Sequence, residues 1–207
     1  DVASLDKSWC NEDQIILVNA LDEVMGVASV ELWYRYSPDN KSWTDWILFG
    51  SGPTASASFN FTFPMGVGYY GFYSRAYDKM GNYEPALAEA NARMVYDNDP
   101  PSSGITPVFS YWHCSDEIVF MAAANDILSG PARVELWYRY SADNSTWGEW
   151  ILCQEGDSSF SFEMPEGVGY YQFSSLGIDF LGNSESLFPK ESCRFFSADL
   201  NNDSRVD

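Results

Sequence analysis

Apolar and polar positions alternate along this chain, and one alternating block occurs twice. Residues 30–37, V-E-L-W-Y-R-Y-S, place Val30, Leu32, Tyr34 and Tyr36 on one parity and Glu31, Trp33 and Arg35 on the other. A period of two carried by β-branched and aromatic side chains predicts a half-buried β-strand. The same eight residues return as 134–141. Both copies run on into D-N-x-x-W-x-x-W-I-L, through Trp43 and Trp46 in the first and Trp147 and Trp150 in the second. Identity of that length marks an internal repeat, which sets the domain count before anything else is argued.

The remaining pattern fills in a module around that strand. Residues 14–19 (Q-I-I-L-V-N) are a short apolar run, read as a buried strand, with a counterpart at 117–121. A turn at Gly26, or at 129–131, leads into the repeated strand, and S-P-D-N at 37–40 has turn chemistry. Residues 44–49 return as the next strand, and 58–63 alternate with Phe59, Phe61 and Phe63 inward. The block 63–82 recurs at 164–183. Its D-x-x-G-N endings (Asp78, Gly81, Asn82 and Asp179, Gly182, Asn183) predict hairpin turns in which glycine takes positive φ. The last strands fall at 92–96 and 193–197. About seven short strands per module, with frequent turns, indicate a Greek-key sandwich. The expected fold is therefore all-β: two tandem sandwiches at 1–98 and 99–198, followed by a tail at 199–207. The linker at 97–103, D-N-D-P-P-S-S, is short and stiffened by Pro100 and Pro101, so the modules are expected to stack end to end.

Tyr70, Phe72, Ser74, Ala76 and Asp78, and in the second copy Tyr171, Phe173, Ser175, Gly177 and Asp179, follow the Y-x-Φ-x-Φ-x-A-x-[ND] pattern. That strand resembles the sixth strand of fibronectin type III-like domains. The D-x-x-G-N endings and the D-x-x-P-P boundary also resemble Ig-like repeats of bacterial and archaeal surface proteins. The resemblance implies that Tyr70 and Tyr171 are tyrosine-corner residues. It covers residues 1–198 and speaks to fold more than to function. The tail, D-L-N-N-D-S-R-V-D, is similar to the opening of a dockerin-type calcium loop. The similarity implies oxygen ligands from Asp199, Asn201, Asp203 and Asp207, at spacings from which a tight loop can converge on one hard cation. Ser204 stands where that loop carries glycine, and a dockerin would continue beyond residue 207.

Composition changes the picture in a few places. Lys and Arg number 11 against 30 Asp and Glu, a net charge of −19 that repels phosphate backbones and disfavours nucleic acid as a partner. No apolar run is long enough to span a membrane. No signal-peptide pattern is read at the start, and Asp1-Val2 in mid-pattern is what a processed or excised segment is expected to show. Sequons stand at Asn40, Asn60, Asn144 and Asn202, two of them on the same turn of both copies. Together they point to an extracellular or cell-surface glycoprotein.

Four cysteines without a C-x-x-C pair argue against zinc and thioredoxin-type sites. Topology suggests how they pair. Cys114 precedes the second strand of its sandwich, and Cys193 lies late in the descending seventh, so the two share a pole. Cys153 ends an ascending strand at the opposite pole, too far for a bridge to Cys193. The expected bridges are Cys114–Cys193 within the second module and Cys10–Cys153 between modules, the latter alternatively between neighbouring molecules.

His113 is the single histidine, and no Ser-His-Asp or Cys-His motif is read around it. The acidic pairs Asp22-Glu23 and Asp116-Glu117 sit at turns and strand ends, and the chain reads as non-enzymatic. On the outward parity, Trp33, Tyr73 and Tyr77 lie beside Trp43 and Trp46; their counterparts in the second copy are Trp137, Ser174, Ile178, Trp147 and Trp150. Trp33 and Trp137 could stack on sugar rings. Alternatively the W-x-x-W hairpin folds over Trp33 with Arg35 stacked on an indole. The second reading explains why the tryptophans recur while Tyr73 and Tyr77 do not, and it carries more weight.

The sequence therefore describes a structural or adhesive segment of a cell-surface or filament-forming protein, its partners other modules or copies of itself. The other reading is a carbohydrate-binding accessory region of a secreted, dockerin-bearing enzyme. Calcium is the one expected cofactor. Calorimetry on a chain extended past residue 207 is expected to register calcium binding at the tail; no heat there removes calcium from the account.

Overall fold

The structure, a computed structural model, describes residues 2–3, 8–53, 55–108, 112–113 and 117–196. The tail with its four candidate calcium ligands, the Asn202 sequon and Cys114 lie outside the described residues. Those described residues are strands and turns with no helix, hence no helix long and apolar enough to cross a membrane. The chain divides into two compact units, Asp1–Asp99 and Pro100–Asp207.

In the first unit the strands are β1 (Trp9–Cys10), β2 (Gln14–Asn19), β3 (Val27–Ser37), β4 (Ile47–Gly52), β5 (Ser56–Phe61), β6 (Gly68–Asp78) and β7 (Ala92–Tyr96). One sheet has the order β1-β7-β6-β3-β4, and β2 pairs with β5 in the other. Val2 adds an antiparallel bridge to Val18 on β2. The second unit contains β8 (Ser102–Pro107), β9 (Trp112–His113), β10 (Glu117–Asn125), β11 (Pro131–Ser141), β12 (Ile151–Gly156), β13 (Ser159–Glu163), β14 (Gly169–Asp179) and β15 (Glu191–Phe195). Its sheets run β12-β11-β14-β15-β9 and β13-β10-β8. Each unit is thus a Greek-key sandwich, the all-β architecture expected from the repeat. In both, the short first strand of the larger sheet pairs parallel with the last: Cys10 with Tyr96, and His113 with Phe195.

Parity fixes the interior. Leu32, Tyr34 and Tyr36 on β3 face Ser74, Phe72 and Tyr70 on β6, and Leu136, Tyr138 and Tyr140 repeat this against Ser175, Phe173 and Tyr171. Phe61 is the hub of the first core, its ring 5.2 Å from Tyr34, 5.1 Å from Phe63 and 4.9 Å from Phe72. Phe162 repeats the role, 4.8 Å from Tyr138 and 5.0 Å from Phe173. Fully burying one such ring is worth about 1.5–3 kcal/mol, and edge-to-face neighbours add to that.

Strand limits differ from the sequence reading where side chains intervene. The strand expected at 44–49 starts at Ile47, because Thr44 bonds back to Tyr36 through its backbone N–H (2.9 Å) and its hydroxyl (3.0 Å), lifting residues 43–46 off the ladder. The run 58–63 ends as a strand at Phe61, since Phe63 takes a φ of 50° to enter the next turn.

Tyrosine corners close both sandwiches. The Tyr70 hydroxyl donates to Gly66 O (2.7 Å) and accepts from Met65 N–H (3.1 Å). Tyr171 does the same with Gly167 O (2.9 Å) and Glu166 N–H (3.1 Å). Burial pushes both phenols above their usual range. Removing either hydroxyl strands a carbonyl and an N–H under the core edge. Tyr70→Phe and Tyr171→Phe are each expected to lower stability by about 1–3 kcal/mol in urea unfolding, with unchanged far-ultraviolet spectra. An unaltered midpoint in both would show that the corners are ornamental.

Candidate functional site: the aromatic ladder of the outer sheet

The outward parity of β3 and β6 carries a ladder of cations and rings, assembled by a turn. Asp39 accepts backbone N–H bonds from Ser42 (2.8 Å) and Lys41 (2.9 Å), which hold its carboxyl below the usual range. Asp143 accepts the same pair from Thr146 (2.8 Å) and Ser145 (2.9 Å), with the same consequence. At the tip, Asn40 and Asn144 have φ of 58° and 59°. That left-handed region is one that asparagine tolerates better than most residues. The turn swings the W-x-x-W segment back across the sheet.

There Arg35 is clasped, its guanidinium carbon 4.8 Å from the Trp43 ring centre and 4.9 Å from Trp46. Arg93 lies 5.6 Å from Trp43, and Glu89 bridges the two cations at 3.0 Å from Arg35 and 3.5 Å from Arg93. Trp46 meets Tyr73 edge-on at 4.5 Å, and Tyr73 stacks on Trp33 at 6.0 Å and 11°. The Trp33 indole N–H donates to Glu31 (2.9 Å), which also accepts from the Tyr77 hydroxyl (3.3 Å). Arg75 continues the series, 5.6 Å from the Tyr77 ring and 4.1 Å from Tyr83.

The second module keeps the clasp. Arg139 lies 5.3 Å from Trp147 and 4.9 Å from Trp150, and the Trp137 indole donates to Glu135 at 3.0 Å. Gln172 accepts from Arg139 Nε at 2.8 Å. Gly71 holds that register position in the first module, and Arg35 Nε has no hydrogen-bond partner there.

The structure stacks Arg35 on Trp43 and Trp46, as in the folded-hairpin reading, but Trp46 meets Trp33 through Tyr73 between them. Trp33 and Trp137 are half-buried rather than fully presented. Sequence reasoning missed the depth of Tyr73, which lies on the outward parity yet is only 1% exposed beneath Trp46 and Trp33. Its counterpart Ser174 is equally covered. Parity reports the face of a sheet; it cannot report that a later loop returns to cover that face.

The other candidate residues are scattered. Asn40, Asn60 and Asn144 are exposed, as a sequon must be to accept a glycan. Cys10, Cys153 and Cys193 form no disulfide among the described residues. Cys10 turns into its own module, its sulfur 3.3 Å from Met94 Sδ and 3.8 Å from Val95 O. Cys153 packs against the second core. The topological argument placed the backbones at poles but not the direction of the side chains. Burial pushes the Cys193 thiol up to about 12 and raises that of Cys153 as well. Cys114, the expected partner of Cys193, is among the residues not described.

Comparison with known proteins gives likeness of shape only. Fibronectin(III)-like modules of Clostridium thermocellum CbhA align over 91% of this chain and 87% of theirs, at 17% identity and a TM-score of 0.38. The chicken CNTN1 FN1-FN3 domains align over 95% of this chain and 66% of theirs, at 12% identity and a TM-score of 0.33. No protein-family model and no curated protein matches the sequence. The strand order described above, rather than these alignments, carries the fold assignment.

Because each indole face against Arg35 is worth about 0.5–2 kcal/mol depending on desolvation, Arg35→Ala is expected to destabilise the chain by about 1–2 kcal/mol. Arg35→Lys should recover only part of the loss, since an ammonium lacks the planar fork. Urea unfolding monitored by tryptophan fluorescence reads both, and an Arg35→Ala chain of unchanged midpoint and emission would show that the ladder contributes nothing.

Proposed function

We propose that this chain is a non-enzymatic structural or adhesive segment of an extracellular protein, a tandem of β-sandwich modules whose partners are other modules or copies of itself. The observation that carries the reading is the use made of the large aromatics. The rings that parity turns outward are engaged by the chain's own Arg35, Tyr73 and Glu31, and by Arg139 and Glu135 in the second copy. A stacking platform for a ligand would leave those faces open. Here they brace the sheet. The exposed sequons at Asn40, Asn60 and Asn144 support an exported setting, and the acidic surface suits a soluble, non-clumping spacer.

Half-burial leaves Trp33 and Trp137 partly accessible, the feature that favours the carbohydrate-binding alternative. A glycan array probed with the native chain, Trp33→Ala and Trp137→Ala separates the two. No saturable binding by the native chain is expected. A glycan bound by the native chain and lost in both variants would replace the structural reading with the accessory one.

A further inference from the structure

The outer face of the β2-β5 pair is apolar where a solvated face would be polar. An antiparallel sheet packed on one side and wet on the other alternates, apolar inward and polar outward. β5 obeys that rule: Phe59 and Phe61 are buried, while Ser56, Ser58 and Asn60 are exposed. β2 does not. Ile16 and Val18 fill the core, yet the outward Ile15 and Leu17 are 61% and 49% exposed. Asn19 ends their row, so the outward positions of the two strands carry no charge, in a chain whose net charge is −19.

The register brings one further group to this face. Asn60 lies directly opposite Ile15, and Leu17, opposite Ser58, is its diagonal neighbour. Cβ atoms so placed are about 4.5–5.5 Å apart across the pair and about 7–8 Å apart on the diagonal. Asn60 begins the sequon N-F-T, and Thr62, on the same parity, is exposed as well. Asn40 and Asn144 are set differently, at turn tips with no residue opposite them on a paired strand. In the second module Ser161 takes the place of Asn60, opposite Val119 and diagonal to Met121. Ser161-Phe162-Glu163 is not a sequon, and the Ser161 hydroxyl bonds to Glu117 instead.

We propose that Asn60 carries a glycan whose first sugar lies on Ile15 and Leu17 and covers the outer face of this sheet. The role rests on the exported setting proposed above and deepens it. In the covalent step, Asn60 Nδ2 attacks C1 of a lipid-linked sugar phosphate. The C–N bond forms as the C–O bond to phosphate breaks; the amide gives up one proton and the lipid phosphate leaves. A pyranose ring has a face of C–H groups, and laying it on two aliphatic side chains removes apolar surface from water. The bond to Asn60 holds the sugar at the spot, so the contact is intramolecular and forms at high effective concentration.

The test uses the 207-residue chain secreted from a eukaryotic host, whose N-glycans begin with N-acetylglucosamine. Peptide mass mapping is expected to find Asn60 occupied. Trimming every glycan to its first sugar should leave the calorimetric midpoints in place. Asn60→Gln should lower that of the first module by about 2–4 °C, whereas Asn40→Gln and Asn144→Gln should leave it unchanged. The same Asn60→Gln made in a host without N-glycosylation should shift nothing, which separates the sugar from the side chain. The drop should vanish in a chain already carrying Ile15→Ser and Leu17→Ser, and persist in one carrying Val119→Ser and Met121→Ser. A bare Asn60 beside occupied Asn40 and Asn144 overturns the proposal and leaves the exported setting standing; three bare asparagines count against both. An occupied Asn60 whose loss moves no midpoint, or moves it equally in the Ile15→Ser, Leu17→Ser chain, also overturns it.

Discussion

Everything in each module hangs on one antiparallel pair, β3 with β6 and β11 with β14. Because successive side chains on a strand point to opposite faces, this pair must serve two environments at once. The inner face supplies Leu32, Tyr34, Tyr70 and Phe72 to the core, and the outer supplies Trp33, Arg35, Tyr73 and Arg75 to the ladder. A slip of one residue would exchange the two sets, burying Arg35 and exposing Tyr34. The bulge between Leu32 and Trp33 in the pairing with β4, repeated between Leu136 and Trp137, is part of the same arrangement. It twists the strand where the W-x-x-W segment returns, and both copies keep it.

The fold was legible because its signals are local and doubled. Alternation in residues 30–37 and 134–141, turn chemistry at 37–40, and the glycines of the D-x-x-G-N turns each point to the element that forms. The φ values of 89° at Gly81 and 90° at Gly182 are those a hairpin glycine was expected to take. The ladder was half legible: a W-x-x-W after an arginine-bearing strand suggested stacking. The contributions of Glu89 and Arg93 come from distant sequence and carry no local mark. The setting of Cys10 carries no local mark either. Strand direction can be counted along a chain, but whether Cys10 looks into Met94 or out to solvent depends on a two-residue strand too short to show a period.

Duplication makes the modules their own controls. Where both copies keep a residue, as with Tyr70 and Tyr171 or Asp39 and Asp143, the bonds it makes are the same in kind and nearly so in length. Where they part, a neighbour has changed too. Gln172 supports Arg139 and Gly71 leaves Arg35 Nε alone; Lys190 serves Ser175, and Ser74 Oγ has no partner among the described residues. Each module clasps its arginine between two indoles, but the polar hold differs: Ala88 O and Glu89 take the Arg35 terminal nitrogens, and Gln172 takes Arg139 Nε.

The parallel pairing of β1 with β7, and of β9 with β15, bears on how each sandwich would respond to tension. Val95 N–H bonds to Ser8 O and Asp97 N–H to Cys10 O, both at 2.9 Å, so the strand that begins the larger sheet is clipped to the one that ends it. Pulled from opposite ends of the module, two neighbouring parallel strands must slide along each other. Their hydrogen bonds then lie across the pulling direction and share the load, instead of opening one after another as in a peeled hairpin. A clip of this geometry makes each module stiff to stretching out of proportion to its two bonded residue pairs, while leaving it free to unfold by routes that do not draw on its ends.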